Sequence, residues 1–295
     1  MKINIAILII LLFISSGLSE AQDSIRELVK EEKANFIGTE TINKIAYPGD
    51  GNINVTYYKL NLTVTYDPNY LTGIVTVGAR SAAPDLNTFF LDLYNNMTVD
   101  SVLSDGSKLG FTHSNNKLFV TLDKTLSKDS TFSVTIFYRG VPAANGFGSF
   151  VFGSHDSSTA IWSLSEPYGA SDWWPCKDTP ADKADSSDVW ITCDTSLTGV
   201  SNGILTSVVN NGNGTHTFKW KNAYPIAQYL ISVAISNYLQ YTTYYKYAAD
   251  DSMPIENFIY PEDFAANKIF LDKTAEMIQR LSCLCKCLAR CTPLC

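Results

Sequence analysis

The chain has 295 residues, of which 45% are hydrophobic and 17% charged, so it can bury a sizeable core in one large domain or two small ones. Its net charge is −7, and it has no basic run outside the termini. This balance argues against sequence-independent binding to nucleic acid, which needs clustered Lys and Arg. The 16 Tyr and 15 Phe residues favour strands over helices.

The first 21 residues have the pattern of a signal peptide. Lys2 supplies a positive start, residues 5–13 form an apolar run, and Ser19-Glu20-Ala21 is a small-x-small cleavage site. A membrane anchor is the alternative, but the run is shorter than the roughly 18 residues needed to span a bilayer. We therefore expect a signal peptide over residues 1–21 and export of the mature chain to the periplasm or the extracellular space, without attachment to a membrane.

Strand periodicity begins after a polar lead-in segment over residues 22–45, in which residues 24–32 predict one short helix. Leu60, Leu62, Val64 and Tyr66 alternate with polar residues, which is the period of a strand with one buried face. Further strands are predicted at residues 73–79, 89–93, 117–122 and 131–138. Strands at this spacing predict a sandwich or barrel.

The strand pattern resumes after a central loop. It predicts strands at residues 188–193, 229–236 and 239–247 and a hairpin at 208–220 around Asn-Gly pairs, with 229–236 buried on both faces. These strands predict an all-β, sandwich-like domain over residues 46–250. Residues 251–280 then predict a connector and one helix, because Pro261 followed by two acidic residues is typical of a helix start.

Residues 281–295 form a Cys-rich tail that holds five of the seven cysteines. A thiolate metal site is one interpretation. A non-native tail, of the kind that out-of-frame translation produces, is the other. We favour the second, because zinc sites usually use separated C-x2-C pairs. No metal ligands are therefore assigned in the chain.

Residues 162–180 concentrate Trp, Pro and acidic residues without helical or strand periodicity, which indicates a loop with a functional role. Cys176 in this loop and Cys193 form either a disulfide after export or two buried thiols, and we favour the thiols. Four N-x-T sequons are glycosylation candidates, at Asn54, Asn61, Asn96 and Asn213.

Common catalytic motifs are missing from the sequence. His113, His155 and His216 have no partner at the H-E-x-x-H spacing that places two imidazoles on one helix face. We expect His216 to face the core and the other two to be solvated. The sequence also has no G-x-S-x-G nucleophile elbow, P-loop or dinucleotide fingerprint.

The central loop carries Ser165-Glu166 and, from Pro175 to Pro180, the pattern P-C-x-D-x-P behind Trp173-Trp174. In these residues it resembles the signature of the N-terminal domain of M1 family zinc aminopeptidases, including the aminopeptidase N and leukotriene A4 hydrolase branches. The resemblance extends from about residue 55 to residue 255. It implies a saddle-shaped antiparallel β-sandwich-like domain with a short C-terminal helix, truncated before the catalytic domain.

The resemblance also implies a role for one site residue. Glu166 matches the position that holds the free α-amine of the substrate, and the alternative is that Glu166 braces the loop. The other loop residues are expected to be structural: Trp173, Trp174, Pro175, Cys176, Asp178 and Pro180.

The family removes N-terminal residues from peptides with a zinc ion, but its H-E-x-x-H motif is not in this sequence. We therefore expect no cofactor and no catalytic residue in this chain, and no activity of this domain by itself. A peptide N-terminus would be the partner if the catalytic domain were present. The alternative function is a stand-alone exported β-sandwich module that binds a peptide or a protein.

Overall fold

The computed structural model describes residues 49–146 and 148–291, with side chains as far as Ser282. The predicted signal peptide and lead-in segment lie outside these residues. The described chain forms seventeen strands followed by two helices. The first nine strands are β1 (Ile53–Tyr66), β2 (Asn69–Ser81), β3 (Leu86–Asp92), β4 (Met97–Ser104), β5 (Ser107–Lys108), β6 (Gly110–Ser114), β7 (Lys117–Leu126), β8 (Thr131–Gly140) and β9 (Phe150–His155).

The later elements follow a short connection after β9. They are β10 (Ser158–Ser163), β11 (Ser186–Asp194), β12 (Thr198–Val200), β13 (Ile204–Asn210), β14 (Thr215–Asn222), β15 (Ala234–Ser236), β16 (Leu239–Lys246), β17 (Ser252–Ile259), α1 (Pro261–Leu271) and α2 (Thr274–Cys291). Two 3-10 turns lie at Ala170–Asp172 and Gln228–Leu230.

The strands form four sheets. The largest has eight strands in the order β13-β14-β11-β1-β2-β8-β4-β5, and the others are β3-β7-β6, β12-β15-β10-β9 and the hairpin β16-β17. The predicted all-β, sandwich-like fold is confirmed. One detail differs from an antiparallel sheet, because β1 pairs in parallel with β11, from Tyr57 opposite Ser186 to Thr63 opposite Thr192.

The core forms where alternating apolar residues of neighbouring strands meet. Leu60, Leu62 and Val64 of β1 are buried as predicted, beside buried residues of β2, which pairs in turn with β8. Tyr66 was expected to face inward but is 40% exposed. Tyr66 is the last residue of β1, beside the tight turn into β2. At the end of a strand the alternation of side chains no longer guarantees burial.

The segment predicted as a strand over residues 229–236 is mostly not a strand. Gln228–Leu230 is a 3-10 turn, and regular pairing is limited to Ala234–Ser236. Ile231, Val233 and Ile235 are buried, whereas Leu230 is 45% exposed. The apolar run therefore reflects a segment packed against the core, and an apolar run alone does not distinguish this from a strand.

The expected connector after residue 250 contains a strand. Ser252–Ile259 forms β17, which pairs with β16 from Leu239 opposite Ile259 to Lys246 opposite Ser252. The predicted helix start at Pro261 is confirmed, but the helix is interrupted between Leu271 and Thr274. Within the described residues, neither helix has the length and apolar character that crossing a membrane requires.

Candidate substrate-contacting loop

The long loop between β10 and β11 packs two tryptophans into the core. Trp173 and Trp174 are both fully buried. The ring of Trp174 meets Tyr58 edge to face at 4.8 Å, and the ring of Trp173 lies 5.3 Å from Phe150. Both tryptophans thus anchor the loop in the core.

The centre of the loop is attached to β3 through backbone atoms. The Asp92 N–H donates to the Cys176 carbonyl at 2.7 Å, and the Cys176 N–H donates back to the Asp92 carbonyl at 3.1 Å. Cys176 and Cys193 are free thiols and both are buried, as the sequence predicts. Burial raises the pKa of the Cys176 thiol well above its ordinary value, and the nearby carboxylates, led by Asp178, act in the same direction. Cys176 is therefore a packing residue and not a nucleophile.

Asp178 is buried and connects the loop to itself at Ser171 and to the 3-10 turn that begins at Gln228. Its Oδ2 accepts the Ser171 hydroxyl at 2.7 Å and the Ser171 N–H at 3.2 Å, and its Oδ1 accepts the Gln228 amide at 2.9 Å. Burial raises its pKa, while these hydrogen bonds act against the increase. These hydrogen bonds link Asp178 to two other segments of the chain, and its structural role stays a prediction. Pro175 is buried and Pro180 is half-buried at the two ends of this segment.

Lys177 is a structural residue that sequence reasoning missed. Its ammonium group is buried, donates to the Ile53 carbonyl at 2.7 Å and pairs with the Asp182 carboxylate at 2.6 Å. The backbone of Lys177 is also tied to β1, because its N–H donates to the Tyr58 hydroxyl at 3.0 Å. A lysine directly after the apolar residues from Trp173 to Cys176 was the available signal, but its partner in β1 is distant in sequence.

Glu166 is exposed, although the residues beside it are held firmly. The Trp173 indole N–H donates to the buried Ser165 Oγ at 3.0 Å, and the Gly169 N–H donates to the Ser165 carbonyl at 2.8 Å. Among the described residues, no hydrogen bond or ion pair engages the Glu166 carboxylate. The bracing role that the sequence left open therefore has no contact to support it in this part of the chain.

The three histidines lie in different environments. The His113 Nε2 is 2.9 Å from the Leu93 carbonyl oxygen, and His216 is half-buried on β14 beside Phe218. Both His113 and His155 were expected to be solvated, but both are half-buried. His155 makes two contacts. Its ring stacks on Tyr260 at 3.7 Å, and its Nε2 lies 2.8 Å from a carboxylate oxygen of Glu262. The prediction missed these contacts because they join the end of β9 to α1, which is far along the chain.

Comparison with known proteins gives the class to which this fold and loop belong. Residues 54–230 match the family described as the peptidase M1 N-terminal domain. Leucine aminopeptidase 2 of Vanderwaltozyma polyspora is 29% identical over 196 residues, which cover 64% of this chain and 29% of that protein. The M1 zinc metallopeptidase of Deinococcus radiodurans has a TM-score of 0.63 at 23% identity, covering 74% of this chain and 52% of the other. Native yeast LTA4 hydrolase has a TM-score of 0.60 at 18% identity, covering 77% and 35%.

The fold is thus that of the N-terminal β domain of M1 metallopeptidases. Because the family match covers more than half of its length, this chain belongs to the peptidase M1 N-terminal domain family. The predicted resemblance is confirmed. The chain spans less than a third of the leucine aminopeptidase and about half of the Deinococcus enzyme.

The solved relatives are named as zinc metallopeptidases. The residues of this chain can therefore be compared with the ligands that a zinc ion needs. A zinc site of this kind needs three protein ligands, an open position for water and a base. No H-E-x-x-H pair of ligands occurs in the 295 residues, and Asp178, a buried carboxylate of the central loop, is already bonded to Ser171 and Gln228. The loop residues therefore do not fit a catalytic zinc ion.

Proposed function

We propose that this chain is the N-terminal substrate-cleft domain of an exported M1 zinc aminopeptidase, in which Glu166 contacts the free α-amine of a peptide. The observation that carries the proposal is the exposed, unengaged carboxylate of Glu166 next to the anchored residue Ser165. A mutant of the Deinococcus enzyme is described as bound to a Tyr-Ser-Ala substrate, and a mutant of a two-domain M1 zinc metallopeptidase is described as bound to L-tryptophan, which supports a role for this class of ligand.

The chemistry of the contact is a charge-assisted hydrogen bond. The bond between a carboxylate and an ammonium group is shorter and stronger than a bond between neutral groups, and it distinguishes a chain end from an internal amide. The peptide bond to be cleaved must then lie in the part of the cleft that the zinc-binding domain supplies. Because this chain has no H-E-x-x-H motif, we expect it to bind but not to hydrolyse peptides.

The binding role is tested by NMR titration of the full chain with Tyr-Ser-Ala and with N-acetyl-Tyr-Ser-Ala. The free peptide should shift the resonances of residues around Glu166, and either acetylation or Glu166→Gln should weaken binding by about 10-fold or more, which is the size of one charge-assisted contact. Glu256→Gln removes the same charge from an exposed position on β17 and serves as the control. Equal binding by the wild type and Glu166→Gln, or equal binding of both peptides, would contradict the proposal.

Two further measurements test the remaining parts. Leucine p-nitroanilide with added zinc should not be hydrolysed by the purified chain, and zinc-dependent turnover would show that the domain is active alone. Export is tested by expressing the chain with residues 1–21 in a secreting host and sequencing the N-terminus of the secreted product. Cleavage after Ala21 is expected, and full retention in the cells would contradict export.

A further inference from the structure

Four polar side chains converge where the turn after β9 meets the start of α1. His155 ends β9, Asp156 follows it in the turn, and Glu262 and Asp263 lie in the first turn of α1. The His155 Nε2 lies 2.8 Å from Glu262 Oε1 and 3.8 Å from Asp263 Oδ2. One donor atom each from His155, Asp156 and Glu262 lies within 4.8 Å of the other two. Two separate parts of the chain thus bring one imidazole and two carboxylates together, with the Asp263 carboxylate also near the imidazole.

The charge of this cluster is not balanced by the neighbouring side chains. Within the described part of the chain, no Lys or Arg forms an ion pair with Asp156, Glu262 or Asp263, and His155 is the basic partner of the two helix carboxylates. The N-terminus of α1 favours those two carboxylates, because the helix dipole is positive there. Asp156 is outside that helix, so its negative charge adds to theirs. A cluster with this excess of negative charge favours a bound cation.

The imidazole ring is held in a defined orientation. It stacks on Tyr260 with the ring centres 3.7 Å apart and the planes 15° from parallel. Tyr260 in turn packs against Tyr238 at 5.2 Å and directly precedes Pro261, the first residue of α1. An imidazole held in this way loses little rotational freedom on binding a metal.

We propose that His155, Asp156 and Glu262 bind one divalent cation of the zinc class. A tetrahedral zinc ion with bonds of about 2.1 Å holds its ligand atoms about 3.4 Å apart. The separations here run from 2.8 Å to no more than 4.8 Å, so small movements of exposed or half-buried side chains bring all three atoms to that spacing. The hydrogen bond between His155 and Glu262 is then replaced by two bonds to the ion. An imidazole beside carboxylates selects zinc over magnesium and calcium, which prefer oxygen ligands alone.

The ion joins the turn between β9 and β10 to the first turn of α1. It therefore fixes the helix on the β domain, and β10 leads directly into the loop that presents Glu166. This role is structural and independent of the peptide contact, so failure of one proposal does not affect the other. The competing arrangement is a metal-free hydrogen bond between His155 and Glu262, which the experiment distinguishes.

The test is a titration of the full chain with zinc at pH 7.5, in which isothermal titration calorimetry measures the affinity and native mass spectrometry measures the number of bound ions. The cysteines of the tail are first blocked with iodoacetamide, while Cys176 and Cys193 are protected by burial. The wild type should bind one equivalent of zinc. His155→Ala and Glu262→Gln should each weaken binding by about 100-fold, because each removes one of three ligands. The matched controls His216→Ala and Glu256→Gln should bind like the wild type.

A spectroscopic measurement keeps the proposal testable if a variant folds poorly. Cobalt added to the blocked wild-type chain should give the visible bands of a tetrahedral site with nitrogen and oxygen ligands, and zinc should displace it. Magnesium and calcium at the same concentration should not. Absence of one-equivalent zinc binding in the wild type, or undiminished binding by His155→Ala, would overturn the proposal in favour of the metal-free contact or of a site elsewhere.

Discussion

The Trp173 indole N–H donates to the Ser165 Oγ at 3.0 Å, and Ser165 directly precedes Glu166. Trp173 is fully buried against Phe150, whereas Glu166 is exposed. One hydrogen bond therefore connects the hydrophobic core to the residue directly before the one that we propose contacts the substrate. The density of tryptophan in this loop has a positioning function, since the core holds the loop backbone while the carboxylate stays accessible.

Ser165→Ala should destabilise the fold by about 1–3 kcal/mol, because it leaves the buried Trp173 N–H without an acceptor. The change is measured by urea unfolding followed by tryptophan fluorescence. Ser107→Ala is the control, since Ser107 is exposed on the short strand β5, and its effect should stay within about 0.5 kcal/mol. Equal midpoints for the two variants would show that the indole hydrogen bond does not support the loop.

Gly73 allows a close approach that only a residue without a side chain permits. A Cβ at this position would overlap the ring of Tyr138, at a distance of 2.3 Å. Tyr138 is buried and donates its hydroxyl to the Trp173 carbonyl at 3.0 Å. Gly73→Ala should therefore lower the free energy of unfolding by at least about 2 kcal/mol, because it overpacks the core and displaces that hydrogen bond. Thermal unfolding measures the loss.

Gly110→Ala is the matched control for this substitution. Gly110 also lies in a strand, but a Cβ at this position would have its nearest neighbour 4.0 Å away, in the side chain of Thr121. Its effect should be within about 0.5 kcal/mol of zero. If Gly73→Ala were as mild as Gly110→Ala, the Tyr138 ring would have to move freely, contrary to its position in the core.

Local periodicity predicted most of the strands because each buries one face. Leu60, Leu62 and Val64 follow the period of two closely, and they are buried. The parallel pairing of β1 with β11 was not predicted, because it joins segments that are distant in sequence and leaves no trace in local alternation. The run over residues 229–236 was misassigned for a related reason, since apolarity reports burial and not backbone conformation.

The candidate sites were predicted to different degrees. Glu166 was assigned through the family resemblance, because one exposed glutamate carries no local signal of its own. The structural role of Asp178 was inferred from the neighbouring prolines, whereas its hydrogen-bond partners Ser171 and Gln228 could not be named from the sequence. The contacts of His155 with Tyr260 and Glu262 depend on how α1 meets β9, which sequence spacing does not encode.

Cys176 and Cys193 should not react with thiol reagents in the folded protein. Burial raises the pKa of Cys193 to about 12 and that of Cys176 well above its ordinary value, so almost no thiolate exists at pH 8. Peptide mapping after brief iodoacetamide treatment should find both unmodified, and treatment in 8 M urea should modify both. Labelling of either one in the native protein, or a disulfide between them, would contradict the packing described for the loop.

Asp92 should make the stability of the fold depend on pH. Burial raises the pKa of its carboxyl from 3.8 to about 6, and the charges of Asp178 and Asp50 act in the same direction. Its Oδ2 accepts the Asp178 N–H at 3.0 Å, while Oδ1 has no partner among the described residues. Because the folded protein binds this proton more tightly than the unfolded chain, the stabilising contribution is complete below about pH 3.8 and is lost as the pH rises through 6.

Asp92→Asn isolates this contribution, because it keeps an acceptor for the Asp178 N–H and removes the titration. Between pH 4 and pH 7.5 the free energy of unfolding of the wild type should fall by about 2–3 kcal/mol relative to that of Asp92→Asn, as expected when the pKa of one group is raised by about two. Urea unfolding at half-unit pH intervals measures the difference between the two proteins. Asp172 and Asp178 also have raised pKa values and are present in both proteins, so the difference reports the titration of Asp92 together with its interaction with Asp178. The exposed control Asp123→Asn should follow the wild type, and a constant difference between Asp92→Asn and the wild type over this range would exclude a buried, titrating Asp92.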